Sequence, residues 1–441
     1  MSLLFHCVGI VVCLGTHLSY GQGFLLTNAK LVDTEKQEIT AGHIWIQADT
    51  IVKVFDQLPE SFEGDQIDLA GKYVIPGLYD MHTHSWGNLA PGGLADILST
   101  DGTAKRMLYA GVVGFLDLFS PEAYILNLRD QQRQNPQEVP GANIHAAGPI
   151  FTCTDGHGTE YGTPTRIINS PEDAYREMEE LAPLKPDVIK IMYNRNPTYM
   201  PSMDKATMKA IIQAAHKHEF KVVSHINTWE DIADVVEAGI DGFTHTPRGV
   251  GPESLIQEIK NKGVVYIPTL SVHMGLLSLI QNPSHAEEPM LRAITLEGVV
   301  NAYRDTSKFT PRDKGWLRYQ IKNRDSVQAA FSQMASSGVS ILPGTDSGNL
   351  GTFQGYSLQM ELTLMKELGM AEWDILTSAT HMAPEWIGTK TGFTTGAKAS
   401  FLILEHSPIE SLDHLKDISQ ILHHGEWVER TQLLTQVSFL D

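Results

Sequence analysis

Cysteine is scarce: three residues in a chain of 441, far short of a disulfide framework. Cys7 and Cys13 fall in the first apolar segment, which leaves Cys153 as the lone cysteine of the remainder and no internal bridge to staple it. Stability must then come from buried apolar surface. A chain of this length can supply it as one large domain with a minor one, or as two. Positive charge is also short, with 33 Lys and Arg against 52 Asp and Glu and a formal net charge of −19. That balance, with no basic stripe, argues against nucleic acid and anionic membrane surfaces as partners.

Long hydrophobic runs are missing beyond the N-terminus. Leu3 to Leu14 is apolar, and Ser19-Tyr20-Gly21 offers small residues before Gln22, so residues 1–21 read as a cleaved secretory signal. Its leading end has no Lys or Arg, and a mis-set start codon is the alternative. The run is too short for a firm membrane span. Val12 before Cys13 is not the small residue that a lipoprotein cleavage site requires, so no membrane anchor is expected. A large domain without disulfides suits a periplasmic or secreted location in a bacterium. Composition leaves open whether copies associate as a homo-oligomer.

What is present is a change of pattern at Pro76. Residues 22–75 hold short β-type runs separated by turns: Phe24 to Leu31, Gly42 to Ile46, Thr50 to Val54 and Gln66 to Leu69. Residues 76–390 alternate apolar strands with helical stretches, the mark of a parallel sheet with crossover helices. The strands expected are Val74 to Met81, Val112 to Leu118, Ile144 to Ile150, Val188 to Met192, Lys221 to His225, Gly242 to His245, Val264 to Leu270 and Ser340 to Gly344. Eight of them predict an α/β fold, a (β/α)8 TIM barrel, whose strand ends carry the chemistry. An insertion over residues 271–334 has helical spacing and forms either a lid or an outer excursion. Residues 391–441 return to strands, Ala399 to Leu404 and Ser419 to Trp427, and complete a small β-sandwich with the N-terminal segment.

The first barrel strand ends in His82-Thr83-His84. Residues two apart on a strand share a face, so both imidazoles converge as metal ligands do. His216-Lys217-His218 repeats the motif inside a helical pattern, where residues two apart diverge. Lys190 sits in the centre of an apolar strand, where an ammonium is costly to bury. It either snorkels to the rim, pairs with an acid, or reacts with CO₂ to give a carbamate able to bridge two cations. The next two strands finish in His225 and His245, and Asp346 follows the eighth. A lone strand-end histidine reads as a hydrogen-bonding residue; two on consecutive strands read as ligands.

With these residues assembled, the sequence resembles the amidohydrolase superfamily over nearly its whole length. It is similar to the two-metal members with a carboxylated lysine, in the imidazolonepropionase-like and Xaa-Pro dipeptidase-like branch. Pro76 to His84 carries the Pro-Gly-Leu-x-Asp-x-His-x-His motif, and Gly344-Thr345-Asp346 closes the set. Ser400 stands where relatives commonly carry Asp. The resemblance implies that one metal takes His82, His84 and Asp346, a second takes His225 and His245, and carboxylated Lys190 bridges them. It also implies a shared, metal-activated hydroxide as nucleophile and Asp346 as general base and acid. Zinc is the first expectation, with manganese or cobalt also suited to the ligands.

The loop Cys153-Thr154-Asp155-Gly156-His157-Gly158 resembles a Gly-x-His-Gly segment of dipeptide-cleaving relatives, which makes His157 a catalytic and substrate-contacting candidate. Asp155 replaces a glycine there, and a plain turn role for His157 is the alternative. Tyr193 and Arg248, three residues beyond Lys190 and His245, are candidates to hold a substrate carboxylate or an oxyanion. For Arg248 a rim salt bridge is the competing role. The function expected is hydrolysis of an amide bond in a small-molecule substrate, a dipeptide or N-acyl amino acid. A lactonase or cyclic-amide hydrolase is the alternative on the same site, and a catalytically silent scaffold is a third reading. Deamination is disfavoured because Thr228 occupies the place, three residues after His225, where mononuclear deaminases of this fold carry Glu.

Overall fold

The computed structural model describes residues 23–196 and 200–435. The expected signal segment, with Cys7 and Cys13, lies outside the described residues. The chain opens with β1 (Phe24–Asp33), β2 (Glu38–Gln47), β3 (Thr50–Phe55), β4 (Gln66–Asp68) and β5 (Tyr73–Pro76). β1 to β3 form an antiparallel meander, while β4 and β5 lie parallel to β1.

At Gly77 the chain changes sheets. The expected strand Val74 to Met81 is in fact two, β5 and β6 (Leu78–Thr83), and this corrects the sequence reading. A Cβ at Gly77 would lie 2.2 Å from Val113 Cγ1, so only glycine lets the chain pass this close to the neighbouring strand. β7 (Gly87–Ala90) and β8 (Leu94–Ile97) make a hairpin after β6, and β9 (Val112–Asp117) then pairs parallel with β6. The run Ile144 to Ile150 also divides, into β10 (Asn143–Ala146) beside β9 and β11 (Ile150–Thr152), with Gly148 at φ 77° between them.

β11 belongs to a six-stranded parallel sheet with β12 (Arg166–Ile167), β13 (Ile189–Met192), β14 (Val222–His225), β15 (Gly242–Thr244) and β16 (Val265–Ile267). Helices such as Lys205–Lys217 and Trp229–Ala238 return the chain between strands, each with a side-chain N-cap, Asp204 and Thr228. The two parallel sheets are joined at their edges. Asp187 N donates to Ala146 O at 2.9 Å; on the far side Leu342 N donates to Tyr266 O and Met81 N to Pro343 O, both at 2.9 Å. Residues 340–344 therefore lie between β16 and β6, but with a single isolated bridge, Ile341 to Tyr266, and not as a strand. Pro343 has no N–H to continue the ladder.

The insertion is helical as expected, with long helices Leu270–Gln281 and Pro311–Ser336. Leu276, Leu279, Val327, Phe331 and Met334 from it join the main hydrophobic core. β17 (Phe401–Leu404), β18 (Ile418–His423) and β19 (Glu426–Trp427) then rejoin the N-terminal strands, β17 antiparallel to β5, in one eight-stranded mixed sheet. The two termini share this sheet, as the sequence reading expects. Ser400 lies beside it, its hydroxyl 3.0 Å from His423 Nδ1. Among the described residues no helix is long and apolar enough to cross a membrane.

Candidate metal centre

His82 is buried near the end of β6 and His84 follows the strand. Their Nε2 atoms lie 3.3 and 2.9 Å from the same oxygen, Asp346 Oδ1. The other carboxylate oxygen, Oδ2, lies 4.0 Å from His245 Nδ1. The strand order thus brings both ends of the parallel array to one point. The His245 ring is 5.2 Å from His82 and 4.5 Å from His225 between centroids.

Lys190 projects from β13 into the same space. It is 2% exposed, and its Nζ donates to Thr244 Oγ1 at 2.8 Å. The snorkelling alternative is thereby corrected, since no part of this side chain reaches the rim. Burial pushes its pKa down to about 7, partly opposed by the Asp346 charge. Burial likewise holds His82, His225 and His245 well below the ordinary histidine range, which keeps the imidazoles neutral and their lone pairs available.

Backbone strain gathers here. His245 and Asp346 adopt φ of 78° and 55°, and Thr269, whose hydroxyl is 2.9 Å from His245 Nδ1, adopts 52°. Left-handed conformations at non-glycine residues cost on the order of 1–3 kcal/mol each and persist where neighbours over-determine them. For Thr269 the neighbour is Glu361. Fully buried, it accepts from Leu270 N at 2.9 Å and Ser271 N at 2.6 Å, fixing the helix start that follows Thr269.

The donor set fits divalent cations. His82, His84 and Asp346 place three ligand atoms within 4.8 Å of one another. The Nδ1 atoms of His82 and His84 are buried without a hydrogen-bond partner, so this cluster does not close as a proton-sharing network. Nitrogen and carboxylate donors of this kind suit zinc and its first-row neighbours.

His157 joins the cluster, its ring 5.0 Å from His225 and its Nδ1 2.7 Å from Glu160 Oε1. Asp155, in the place of the family's glycine, takes φ 54°, a conformation that Asp tolerates better than most residues, so the loop keeps its course. Cys153 is a buried free thiol. Tyr193 is not brought to the cluster. Alternation along β13 sends Lys190 and Met192 inward and Tyr193 outward, where its hydroxyl donates to Asp234 Oδ2 at 2.8 Å. The substrate-binding role expected for Tyr193 is corrected accordingly. Arg248 stands exposed on the rim, its guanidinium 6.0 Å from the centre of the Tyr319 ring.

Three site residues escape the sequence reading. Trp86 stacks on His84 at 5.0 Å and 16°, and continues the i, i+2 spacing of His82 and His84, a signal that was available. His273, 6.2 Å from His245, and Glu361 sit in helices whose apolar neighbours give no warning.

Residues 73–429 match the amidohydrolase family, and the chain belongs to it. Members of this family typically use divalent metal ions. Among curated relatives it is similar to a putative adenine deaminase of Bacillus cereus, with 39% identity over 149 residues, 34% of this chain and 23% of that protein. The match thus spans under a quarter of the relative's length. Among solved structures it superposes on a Xaa-Pro dipeptidase with bound methionine in the active site, at TM-score 0.73 and 19% identity, covering 92% of this chain and 99% of that one. A putative prolidase from Bifidobacterium longum gives TM-score 0.73 at 23% identity, with 93% and 95% coverage. These two likenesses establish the fold.

Proposed function

We propose that this chain hydrolyses the amide C–N bond of a dipeptide or an N-acyl amino acid in a metal-dependent reaction. The observation that carries the reading is the meeting of His82, His84, His225, His245 and Asp346, at or just past strand ends, with Lys190 from within β13. We read the two joined sheets as a single (β/α)8 barrel over residues 76–390, with the terminal segments as its companion β-domain.

His82, His84 and Asp346 would hold one divalent cation, zinc by ligand type, and His225 with His245 a second, with Lys190 as a carbamate between them. Bound there, such cations supply Lewis acidity toward a carbonyl and make water acidic enough to attack at neutral pH. Asp346 carries the proton: Oδ1 faces the first histidine pair, and Oδ2 accepts from the attacking water and delivers to the leaving amine. His157, held at Nδ1 by Glu160, presents its other nitrogen toward the substrate carbonyl. Arg248 attracts the substrate carboxylate at the rim. The N-terminal segment would direct the enzyme to the periplasm or outside the cell.

The Bacillus relative favours a second reading, hydrolytic removal of an amine from a purine. The structure supplies an argument against it. Thr228 is spent as the cap of helix Trp229–Ala238, accepting from Asp231 N, and offers no acid to the site.

The test is a screen of protein stripped of metal and reloaded with zinc, manganese or cobalt against dipeptides, N-acyl amino acids, lactones and adenine. Amide hydrolysis that depends on reloading is expected, and Asp346→Asn should lower kcat by about 10²–10⁴-fold with KM little moved. Turnover of adenine or lactones alone would overturn the reading.

A further inference from the structure

The rings around the site form a closed circuit. From His84 it passes to Trp86 at 5.0 Å, Tyr161 at 6.1 Å, His157 at 6.1 Å, His225 at 5.0 Å, His245 at 4.5 Å, His82 at 5.2 Å and back to His84 at 5.3 Å between centroids. Its two halves differ in chemistry. One is imidazole and carries the proposed ligands. The other is the apolar arc of Trp86 and Tyr161, backed by Phe119 at 6.4 Å from each, with Ile150 and Met192 in the same cluster.

The arc is rigidly built. The indole N–H of Trp86 donates to Gly348 O at 3.0 Å, so its polar edge is satisfied and an apolar surface remains. Gly348, at φ 102°, admits this approach because a Cβ there would lie 2.8 Å from Trp86 Nε1. Asp117, fully buried at the end of β9, accepts from Ser85 N at 2.9 Å and Phe119 N at 3.0 Å, locking both ring-bearing loops with one carboxylate. Tyr161 closes the arc on the solvent side, 40% exposed.

We propose that Trp86, Phe119 and Tyr161 form the subsite for an aromatic side chain on the acyl half of the substrate. This rests on the amide-hydrolase reading and adds the substrate class. The orientation follows from charge. In a dipeptide or N-acyl amino acid the free carboxylate belongs to the amine half, and Arg248, the exposed cation beyond His245, stands after β15 on the imidazole side. With the carboxylate there, the acyl half crosses to the strands that carry the arc, β6, β9 and β11. An aromatic group then meets ring faces and edges, whereas a glycyl group leaves them uncovered.

The experiment compares kcat/KM for phenylalanyl-alanine and glycyl-alanine, with adenine as a third substrate, in the reloaded enzyme and in Tyr161→Ala and Tyr161→Phe, with metal content measured for each. The aromatic dipeptide should be preferred by about tenfold or more. Tyr161→Ala should erase most of that preference at unchanged metal content, and Tyr161→Phe should keep it. Equal rates for the two dipeptides, or a preference that survives Tyr161→Ala, would overturn the subsite while amide hydrolysis stands. Turnover of adenine with neither dipeptide cleaved would overturn the amide reading and the subsite with it.

Discussion

Asp80 and Thr345 are joined twice: Thr345 N donates to Asp80 Oδ1 at 3.0 Å, and Thr345 Oγ1 to Oδ2 at 2.6 Å. Asp80 Oδ1 also accepts from His82 N at 3.2 Å. One fully buried acid therefore ties the strand of the first histidines to the turn that presents Asp346. Asp80→Ala should lose about 1–3 kcal/mol in urea unfolding, since it leaves donors unpaired in the core. It should also retain less metal per chain than Asp80→Asn. A variant as stable and as metal-rich as the parent would remove this positioning role.

Lys190→Ala takes away the buried amine proposed to bridge the two histidine pairs. Outer partners of metal sites typically cost 10–100-fold in affinity or activity, and a bridging group should cost at least ~100-fold. Elemental analysis should find fewer cations per chain than in the parent. Unchanged metal content and turnover would sink the bridging role.

Arg248→Ala should raise KM by about tenfold for substrates with a free carboxylate and leave their amidated counterparts nearly unaffected. The contrast separates a substrate contact from rim packing on Tyr319, because lost packing would affect both substrate sets alike.

Burial raises the pKa of Glu361 to about 8, against an unfolded value near 4.5. Between those two values the native state binds the proton more tightly than the unfolded chain. Stability must therefore fall as pH rises through that window, by up to about 1.4 kcal/mol per pH unit. Glu361→Gln should flatten the slope between pH 5 and 8 in denaturant unfolding. A slope identical to that of the parent would show that the carboxyl does not titrate there.

The histidines and Asp346 were legible because each occupies a strand end or the turn just past it, whereas Lys190 was legible as a cation inside an apolar strand. Tyr193 shows the limit of that logic. One residue beyond the inward-facing Met192, it turns outward to Asp234, and a spacing of three from Lys190 concealed the change of face. Pro76-Gly77 marks the joint, but the apolar residues on either side read as one strand and do not show which sheet each half will join. His273 and Glu361 were hidden differently: a polar residue in a buried helix shows its purpose once the element packed against it is known.

The joint at Gly77 also binds the fate of the reaction chamber to the outer sheet. β5 and β6 are one ribbon, gripped on the outer side by β17, and Gly77 N donates to Ser400 O at 3.0 Å. A cut that removed the last three strands would leave β5 without its far-end clasp, a few residues upstream of His82. The C-terminal strands are thus a distant brace for the strand that carries His82, and damage there should be felt at the proposed site.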